Sequence, residues 1–378
     1  MKILLLNSEF PPIGGGAGGA SANLARELVR QGHEVLVLTT RFARLPKYET
    51  WQGVRIVRVS ALRRRQDRSG PLEQISFTLA GALAVGPILK TFPAQVVVAF
   101  FGVPSGPIAW MLNKQIDLPY LVSLRGGDVP GFRPYDFGIY HRLVAPFLRI
   151  IWRDAGLLVA NSRGLRELAL KFEPSAWIEI IPNGVDLQAF VPLERSWSPA
   201  HLLSAGRLVH QKGFDLAARA LANLRQLDWK WTIAGDGNYR LEFEKLCREL
   251  DIAERVHLRG WVSKEQMTGL YQHANLFVFP SRHEGMPNAV LEAMACGLPV
   301  VVTNIPGNEE LVLPGETGLL CAADSVPDLQ TALGQLIPDA QRRQAMGAAG
   351  RARVEAHYSW AGVAESYSRQ LARLLEAS

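Results

Sequence analysis

The sequence contains few cysteines and no long uninterrupted apolar segment. Its 378 residues include only three cysteines, which are scattered without the spacing of metal ligands. A count that is odd and sparse suits a reducing compartment and offers no disulfide framework. No run of about 18 uninterrupted apolar residues is present, so we expect no membrane-spanning helix. The apolar run at residues 3–6 is too short for the core of a signal peptide. We therefore expect a cytoplasmic protein, either soluble or peripheral at the inner face of a membrane.

The sequence also lacks low-complexity tracts and short-period repeats, and its length indicates two domains. Short apolar runs alternate with longer helical stretches, a pattern typical of a parallel sheet with crossover helices. The runs are continuous, which favours strands that are buried on both faces. In the first half we predict strands at Ile3–Leu6, Val35–Leu38, Val54–Val57, Val96–Phe100, Tyr120–Leu124, Leu157–Ala160 and Ile178–Ile181, and helices that include Ala22–Arg30, Gln74–Leu89 and Leu143–Arg153.

The same pattern starts again in the second half, so the fold class is α/β with two units in series. Prolines interrupt regular structure near Phe190–Pro199. We therefore predict an N-terminal domain over residues 1–190 and a C-terminal domain over 191–357, followed by a last helix over about 358–378. The predicted strands of the second unit are Leu202–Ala205, Trp231–Ala234, Val256–Leu258, Leu276–Phe279 and Val300–Thr303, and its predicted helices are Phe214–Leu227, Tyr239–Leu250, Lys264–His273 and Asn288–Cys296.

A glycine-rich loop follows the first predicted strand. Gly14, Gly16 and Gly19 satisfy the spacing of a dinucleotide-binding loop. Two prolines lengthen the loop, however, and the second strand ends at Arg41 without the acidic residue that would hold a ribose. A permissive turn is the simpler interpretation. Glycines before a helix also allow backbone N–H groups to approach a phosphate closely.

Two cations, Arg207 and Lys212, follow the first strand of the second unit. Open α/β sheets bind ligands at the carboxyl ends of their strands, and Arg and Lys are suited to a diphosphate. A pair of solvated surface cations is the alternative.

The most specific pattern covers Pro280–Val301. It places Glu284 on a loop after a strand, Pro287 at the start of a helix and Glu292 within that helix. Two carboxylates at these points can hold sugar hydroxyls, while the helix N-terminus offers N–H groups to a phosphate. An ordinary surface helix would explain neither the proline at its start nor the run of small residues at 293–297.

Taken together, these motifs and the segment Ile181–Asp186 resemble the retaining nucleotide-sugar glycosyltransferases of the GT-B fold, in glycosyltransferase family 4 (glycosyl transferases group 1). The resemblance spans nearly the whole chain. It implies two Rossmann-like domains facing across a cleft, with the donor held mainly by the C-terminal domain and the last helix crossing back to the N-terminal one.

The resemblance also implies roles for individual residues. Arg207 and Lys212 would hold the diphosphate, and Glu292 would bind the ribose. Glu284 and the backbone of Gly285, Met286, Pro287 and Asn288 would face the donor sugar. Gly15 or Gly16 would close on the phosphate from the other domain. Trp261 and Val262 match a segment that lines the nucleobase, although Trp261 could equally be a core residue.

One position departs from the family pattern. Many relatives have a His where this sequence has Arg125, three residues before Asp128. An arginine cannot act as a general base at neutral pH. We expect Arg125 to bind donor phosphate or an anionic acceptor, oriented by Asp128, and include both residues among the candidate catalytic residues with Arg207, Lys212 and Glu284.

The net charge of +6 is unevenly distributed. Residues 1–195 carry 23 Lys and Arg against 15 Asp and Glu, a net of +8, whereas residues 196–378 carry 18 against 20. The run Arg63–Arg65 with Arg68 is expected to be a solvated loop. The segment Ile139–Arg153 mixes apolar residues with arginines and has two interpretations, an interfacial helix near anionic lipid or, preferred here, a core-packed helix.

We expect the partners to be a UDP-, GDP- or ADP-linked sugar and a glycan or lipid-linked acceptor, with an anionic membrane surface as a further candidate. No acidic cluster has metal-binding spacing, so we expect no metal and no cofactor. Two other functions stay open, a catalytically inactive nucleotide-sugar-binding relative and a nicotinamide-dependent oxidoreductase. Nucleic-acid binding is disfavoured because no recognised motif accompanies the basic residues.

Overall fold

The computed structural model describes residues 1–66, 69–132 and 134–377, which form two compact units. Unit 1 comprises Met1–Gly184 and Trp360–Ser378, and unit 2 comprises Val185–Ser359. The chain thus passes from one unit to the other between Gly184 and Val185, whereas the sequence analysis placed this division after residue 190. The C-terminal helix, Trp360–Glu376, is part of unit 1.

Unit 1 is built on an eight-stranded sheet with the order β3-β4-β2-β1-β5-β6-β7-β8. Every neighbouring pair is parallel except β3 and β4, which are antiparallel. The central strands are buried along their whole length, as their continuous apolar sequences predict. The strands are β1 Lys2–Leu6, β2 Glu34–Thr40, β3 Tyr48–Trp51, β4 Val54–Val59, β5 Val96–Phe100, β6 Tyr120–Leu124, β7 Leu157–Ala160 and β8 Ile178–Ile180.

Helices cover both faces of this sheet. The connection through α1 runs from β1 towards one edge, whereas those through α2 to α5 run towards the other edge. Because such crossovers are right-handed, α1 lies on one face and α2 to α5 lie on the opposite face. The C-terminal helix packs beside α1 in the core of the first face. The helices are α1 Gly16–Arg30, α2 Pro71–Thr91, α3 Gly106–Ile116, α4 Pro134–Asp154 and α5 Arg163–Phe172.

Unit 2 contains a six-stranded parallel sheet with the order β11-β10-β9-β12-β13-β14. Its strands are β9 Ala200–Ala205, β10 Trp229–Ala234, β11 Val256–Gly260, β12 Leu276–Phe279, β13 Val300–Thr303 and β14 Gly318–Cys321. Its helices are α6 Phe214–Ala222, α7 Arg240–Glu249, α8 Lys264–His273, α9 Asn288–Ala295, α10 Asn308–Leu311, α11 Val326–Leu336 and α12 Ala340–His357. Two apolar clusters, one on each face of the sheet, form its core.

The differences from the predicted elements have local causes. β3 is a half-exposed edge strand and β14 has only four residues, so neither shows a clear apolar run. α1 begins at Gly16 and not at Ala22, because its first turns are made of glycine, alanine and serine, which carry little apolar pattern. α9 begins at Asn288, with Pro287 just before it as the N-cap residue.

The helix α2 differs from the expectation about membrane-spanning segments. Over Pro71–Thr91 it is long and apolar enough, by length and composition, to cross a membrane, and 22% of its most apolar window is buried. The segment contains no uninterrupted apolar run of the expected length, because polar residues such as Gln74 and Thr78 interrupt it.

Candidate functional site

The direction of the chain through the sheet of unit 2 reverses between β9 and β12. From β9 the chain proceeds to β10 and β11 on one side, and it returns to build β12, β13 and β14 on the other side. In open α/β sheets, ligands bind outside the carboxyl ends of the strands at this reversal. The two loops that leave the sheet here are residues 206–213 and 280–287, which carry the two strongest motifs of the sequence.

The structure brings Lys212 and Glu284 together at this position. The Nζ atom of Lys212 lies 2.6 Å from Oε1 of Glu284, and their side chains are only 15% and 12% exposed. Lys212 also lies over the ring of Phe279, at 4.7 Å from its centroid. Arg207, on the same loop, is exposed. A protected ammonium group and an exposed guanidinium group on one loop can both reach an anionic ligand.

Arg282 joins the two loops, although the sequence analysis gave it no role. Its guanidinium donates two hydrogen bonds of 2.9 Å to Asp215 and one of 2.7 Å to Asp324. Burial alone would raise the pKa of Asp215, but the hydrogen bonds and charge of Arg282 lower it overall. The backbone N–H of Arg282 donates to the carbonyl of Gln211 at 2.8 Å. These contacts hold the loops of Lys212 and Glu284 together. The only sequence signal for them was the presence of an arginine inside the pattern Pro280–Val301, called here the Glu284 motif.

Two glycines, one on the loop before α6 and one on the loop after β13, allow these loops to pack closely against residues 280–287. Gly213 has a φ of +65°, and a Cβ atom there would lie 2.0 Å from the carbonyl oxygen of Pro280. Gly307 has a φ of +90°, and a Cβ atom there would lie 2.0 Å from the carbonyl oxygen of Gly285. Any larger residue would push these loops apart, so glycine is required for the shape of the site.

Glu292 lies in the second turn of α9 and is half-buried. Its Oε2 atom accepts a hydrogen bond of 3.0 Å from the hydroxyl of Tyr271. Burial and the charge of Glu292 hold the pKa of Tyr271 well above its usual range. The phenol therefore stays protonated and acts as the donor in this hydrogen bond. Tyr271 belongs to α8, and no pattern in the sequence indicated this contact.

The remaining predicted residues of the Glu284 motif lie between its two carboxylates. Gly285 and Asn288 are half-buried, while Met286 and Pro287 are buried. The helix α9 begins directly after them, its N-cap residue makes no side-chain hydrogen bond, and its first turn contains no acidic residue. This helix end is therefore suited to an anion.

Trp261 and Val262 follow β11, the edge strand on the other side of β10. Trp261 is 77% exposed and Val262 is half-buried. The alternative that Trp261 is a core residue is therefore wrong. Its role next to a nucleobase stays a prediction.

In unit 1, Gly15 and Gly16 are exposed at the start of α1, whose first turn contains no acidic residue. The carboxylate of Glu9 accepts a hydrogen bond from the N–H of Gly15 at 3.4 Å, and it lies 3.7 Å from the guanidinium of Arg63. The N–H of Gly15 thus already has a partner within its own loop, and the predicted contact of Gly15 or Gly16 with a phosphate stays a prediction.

Arg125 is half-buried directly after β6 and contacts residues of unit 1. Its guanidinium donates to Oδ1 of Asn183 at 2.6 Å and to the hydroxyl of Tyr367 at 3.2 Å, and it stacks on Phe100 at 4.2 Å from the ring centroid. These contacts connect β6, the end of the chain segment that leaves unit 1, and the C-terminal helix. The arrangement is that of a structural arginine, and the predicted binding of phosphate or acceptor stays untested.

Asp128 does not orient the side chain of Arg125 through a hydrogen bond. Its two carboxylate oxygens accept from the backbone N–H groups of Arg125, at 2.9 Å, and Gly102, at 2.8 Å. Burial raises the pKa of the Asp128 carboxyl, although these N–H groups and the charge of Arg125 oppose the shift. Asp128 therefore shapes the loops after β5 and β6.

The basic run of unit 1 divides into two kinds of residue. The side chain of Arg63 is only 2% exposed and donates to the carbonyls of Arg65 and Gln66, so the expectation of a solvated side chain is wrong for this residue. Arg64 and Arg65 are exposed as predicted. Arg68 lies outside the described residues. Within residues 1–66, 69–132 and 134–377, no group of three or more His, Cys, Asp or Glu is arranged to hold a metal ion.

Two doubly wound α/β sheets, with cations and carboxylates at the chain reversal of one of them, are typical of α/β enzymes that bind phosphorylated ligands. Residues 193–353 match the family model described as glycosyl transferases group 1, and residues 15–184 match the glycosyl transferase 4-like domain. The chain therefore belongs to the group 1 glycosyltransferases with the GT-B fold.

Relatives and solved structures agree with this assignment. The chain is 28% identical to a GDP-mannose-dependent alpha-(1-6)-phosphatidylinositol monomannoside mannosyltransferase of Mycolicibacterium smegmatis, over 95% of both chains. It is also 28% identical to a glycogen synthase of Mycobacterium tuberculosis, over 96% of this chain and 92% of that protein.

Among solved structures, sucrose-phosphate synthase of Thermosynechococcus elongatus superposes with a TM-score of 0.88 at 22% identity, over 100% of this chain and 99% of that one. HepE of Anabaena, crystallised with UDP and glucose, superposes with a TM-score of 0.79 at 19% identity, over 98% and 99%. The protein is thus a glycosyltransferase that uses nucleotide-sugar donors.

Proposed function

We propose that this enzyme transfers a hexose from a nucleotide-diphosphate sugar to an acceptor hydroxyl with retention of the anomeric configuration. The observation that carries this proposal is the pairing of Lys212 with Glu284 at the chain reversal of unit 2, beside the N-terminus of α9. The site combines a protected cation, a helix end suited to phosphate and carboxylates suited to hydroxyl groups.

In this proposal the leaving diphosphate lies against Arg207, Lys212 and the first N–H groups of α9. The bond between the anomeric carbon and the diphosphate oxygen breaks, and negative charge develops on that oxygen. Fixed cations and N–H groups stabilise such charge most effectively in a protected site. The exposure of Lys212, only 15%, supports its assignment to this task.

Carboxylates and an aromatic ring would position the rest of the donor. Glu284 would accept hydrogen bonds from hydroxyl groups of the transferred sugar. Glu292, held by Tyr271, would accept them from the ribose. Trp261, exposed after β11, offers a flat surface on which a nucleobase can stack.

For retention, the acceptor oxygen would attack the anomeric carbon from the side that the diphosphate leaves. The new bond forms between that oxygen and the anomeric carbon, and a phosphate oxygen of the leaving group accepts the acceptor's proton. This course requires no protein base. It is compatible with Arg125, which cannot accept the proton at neutral pH.

We also infer that transfer needs no metal ion, because Arg207 and Lys212 supply the positive charge that a bound cation would otherwise provide. The donor is a UDP-, GDP- or ADP-linked sugar. The acceptor is a glycan or a lipid-linked molecule met in the cytoplasm, as the mannosyltransferase and glycogen synthase among the relatives suggest by their names.

The experiment that tests the proposal is a thermal-shift panel of UDP-, GDP- and ADP-sugars, followed by measurement of diphosphate release. Stabilisation by one donor class with slow release of its diphosphate is expected, and NMR of the transferred anomeric centre then reports its configuration. Stabilisation without release, even with acceptors present, would favour the inactive relative. An inverted product would refute the retaining mechanism.

A further inference from the structure

The helix α2 exposes a row of large apolar side chains. Leu72, Ile75, Leu79 and Leu83 are 69%, 54%, 63% and 83% exposed. They are spaced three, four and four residues apart, so they form one stripe along the helix surface. We call these four residues the α2 stripe. Contiguous exposed apolar surface of this kind marks a site of interaction, whereas isolated exposed leucines do not.

The opposite face of α2 is part of the core of unit 1. Phe77, Val85 and Ile88 are buried in the apolar cluster beneath the helix. Gly81 lets the helix approach α3 so closely that a Cβ atom there would lie 2.5 Å from Cδ1 of Ile108. Since this face is packed on the sheet, α2 lies along the surface of unit 1, and the α2 stripe is on the side of the helix that faces away from the sheet. The apolar composition of α2 therefore fits a helix that lies on a membrane and not one that crosses it.

Cationic residues flank the α2 stripe at both ends. Lys90 follows Leu83 by two helical turns and is exposed. At the other end, Arg64 and Arg65 are exposed on the loop before the helix. This loop is fixed to the first turns of α2, since the N–H of Leu62 donates to Oγ of Ser76 at 2.8 Å. The apolar stripe with cations at each end is the charge pattern that complements an anionic lipid surface.

The helix α4 lies in the same helical layer as α2, with α3 between them. The connections through α2, α3 and α4 all run towards the same edge of the sheet, so the three helices cover one face. On α4, Leu143, Phe147 and Ile150 are 76%, 39% and 46% exposed. Its other side is core-packed through Leu148 and Ile151, as the preferred interpretation of this helix predicts, and the interfacial interpretation stays a prediction for the exposed side. The side chains of residues 139–141, at the start of the predicted segment Ile139–Arg153, lie outside the described ones.

The asymmetry between the two units supports one surface of contact. Among the described residues, twelve of the fifteen large hydrophobic side chains that are exposed belong to unit 1. Unit 1 also carries the basic excess, since its residues include 24 Lys and Arg against 15 Asp and Glu, whereas unit 2 has 17 against 20. Association with an anionic membrane requires exposed apolar and basic surface in the same unit. A freely diffusing enzyme does not need this combination.

We propose that the face of unit 1 formed by α2 and α4 docks on an anionic phospholipid bilayer. The α2 stripe inserts among the lipid headgroups, while Arg64, Arg65 and Lys90 contact lipid phosphates. This proposal does not depend on the identity of the donor or on catalysis.

The test is co-flotation of the full chain with vesicles of phosphatidylcholine alone and of phosphatidylcholine mixed with phosphatidylglycerol. We expect binding to the mixed vesicles that weakens as salt is raised. The variant Leu79→Gln with Leu83→Gln should lower the partition coefficient at least about tenfold, since burial of each leucine is worth about a factor of ten. The variant Arg64→Gln with Arg65→Gln should weaken the preference for anionic vesicles, because only Lys90 of the three cations is left.

The matched control is Leu241→Gln, which changes a leucine of unit 2 that is 80% exposed. It should bind vesicles like the unaltered chain. Thermal melting should show all variants folded, because the altered side chains are exposed. The absence of binding to mixed vesicles, or equal losses in the control and the Leu79/Leu83 variant, would overturn the proposal. Self-association in light scattering that disappears in the Leu79/Leu83 variant, without vesicle binding, would assign the face to a second copy of the chain instead.

Discussion

Removing the ammonium group of Lys212 tests the assignment of the donor site most directly. The variant Lys212→Ala takes away a cation that lies 2.6 Å from Glu284 and is only 15% exposed. Loss of one fixed group that stabilises a developing anion costs about 10²–10³-fold in kcat. Because the carboxylate of Glu284 would then stand unpaired beside the diphosphate, we expect kcat/KM to fall by about 10³-fold, the upper end of this range.

The same substitution should cost unit 2 some stability. A hydrogen bond between charged groups contributes about 1.5–3 kcal/mol to the free energy of unfolding. For a domain of this size, each kcal/mol shifts Tm by about 2–4 °C, so a decrease of about 3–12 °C follows. In the double variant Lys212→Ala with Glu284→Ala, no carboxylate is left unpaired. Its loss of stability should therefore be smaller than the sum of the two single losses.

The assay is the initial rate of diphosphate release at donor concentrations below KM, with Tm measured on the same samples. The control is Lys230→Ala, which removes an exposed lysine of β10 in the same unit and should leave both quantities unchanged. A folded Lys212→Ala variant whose kcat/KM stays within about twofold of the unaltered enzyme would refute the assignment, because the expected electrostatic loss is far larger.

Four further outcomes are expected. Gly213→Ala should lower both Tm and activity, because its Cβ atom would lie 2.0 Å from the carbonyl oxygen of Pro280, and an unchanged melting curve would contradict this packing. Arg125→Met should lower Tm without raising the KM for the donor, since it leaves the hydroxyl of Tyr367 without this donor, whereas a raised KM at unchanged Tm would indicate a phosphate ligand. Treatment with EDTA should leave the transfer rate unchanged, and restoration of a lost rate by Mg²⁺ would contradict metal-independent transfer. Burial lowers the pKa of His201, so the unfolded chain binds more protons than the folded one and Tm should fall as the pH drops below about 6.5. His201→Gln should reduce this decrease, and an unaltered pH profile would contradict the burial of the imidazole.

The sequence by itself determined the fold class and the position of most elements. The predicted bounds are confirmed for five strands, β5, β6, β7, β12 and β13. A strand that is buried on both faces needs a continuous apolar run, and the polar loops on either side mark where that run begins and ends. The same reasoning placed the candidate site residues on loops after strands. Short or half-exposed elements such as β3 and β14 were missed, because they leave little apolar pattern.

Only the tertiary structure decided which of these loops meet. Lys212 and Glu284 are 72 residues apart in the chain, and their contact follows from the reversal of strand order between β9 and β12. Likewise, the hydrogen bond from Tyr271 to Glu292 depends on how α8 packs against α9, which no local pattern encodes.

The tertiary structure also decided which apolar side chains are exposed to solvent. The composition of α2 shows that the helix is apolar, but only the sheet beneath it determines that Phe77 is buried while Leu83 is exposed. Trp261 is a large aromatic residue of the kind that often lies in a core, yet it lies beyond the end of an edge strand and is exposed. Local sequence specifies which backbone conformation a segment prefers and which side chains avoid water. The faces that are actually covered depend on neighbours distant in the chain, and these become neighbours only when the whole domain folds.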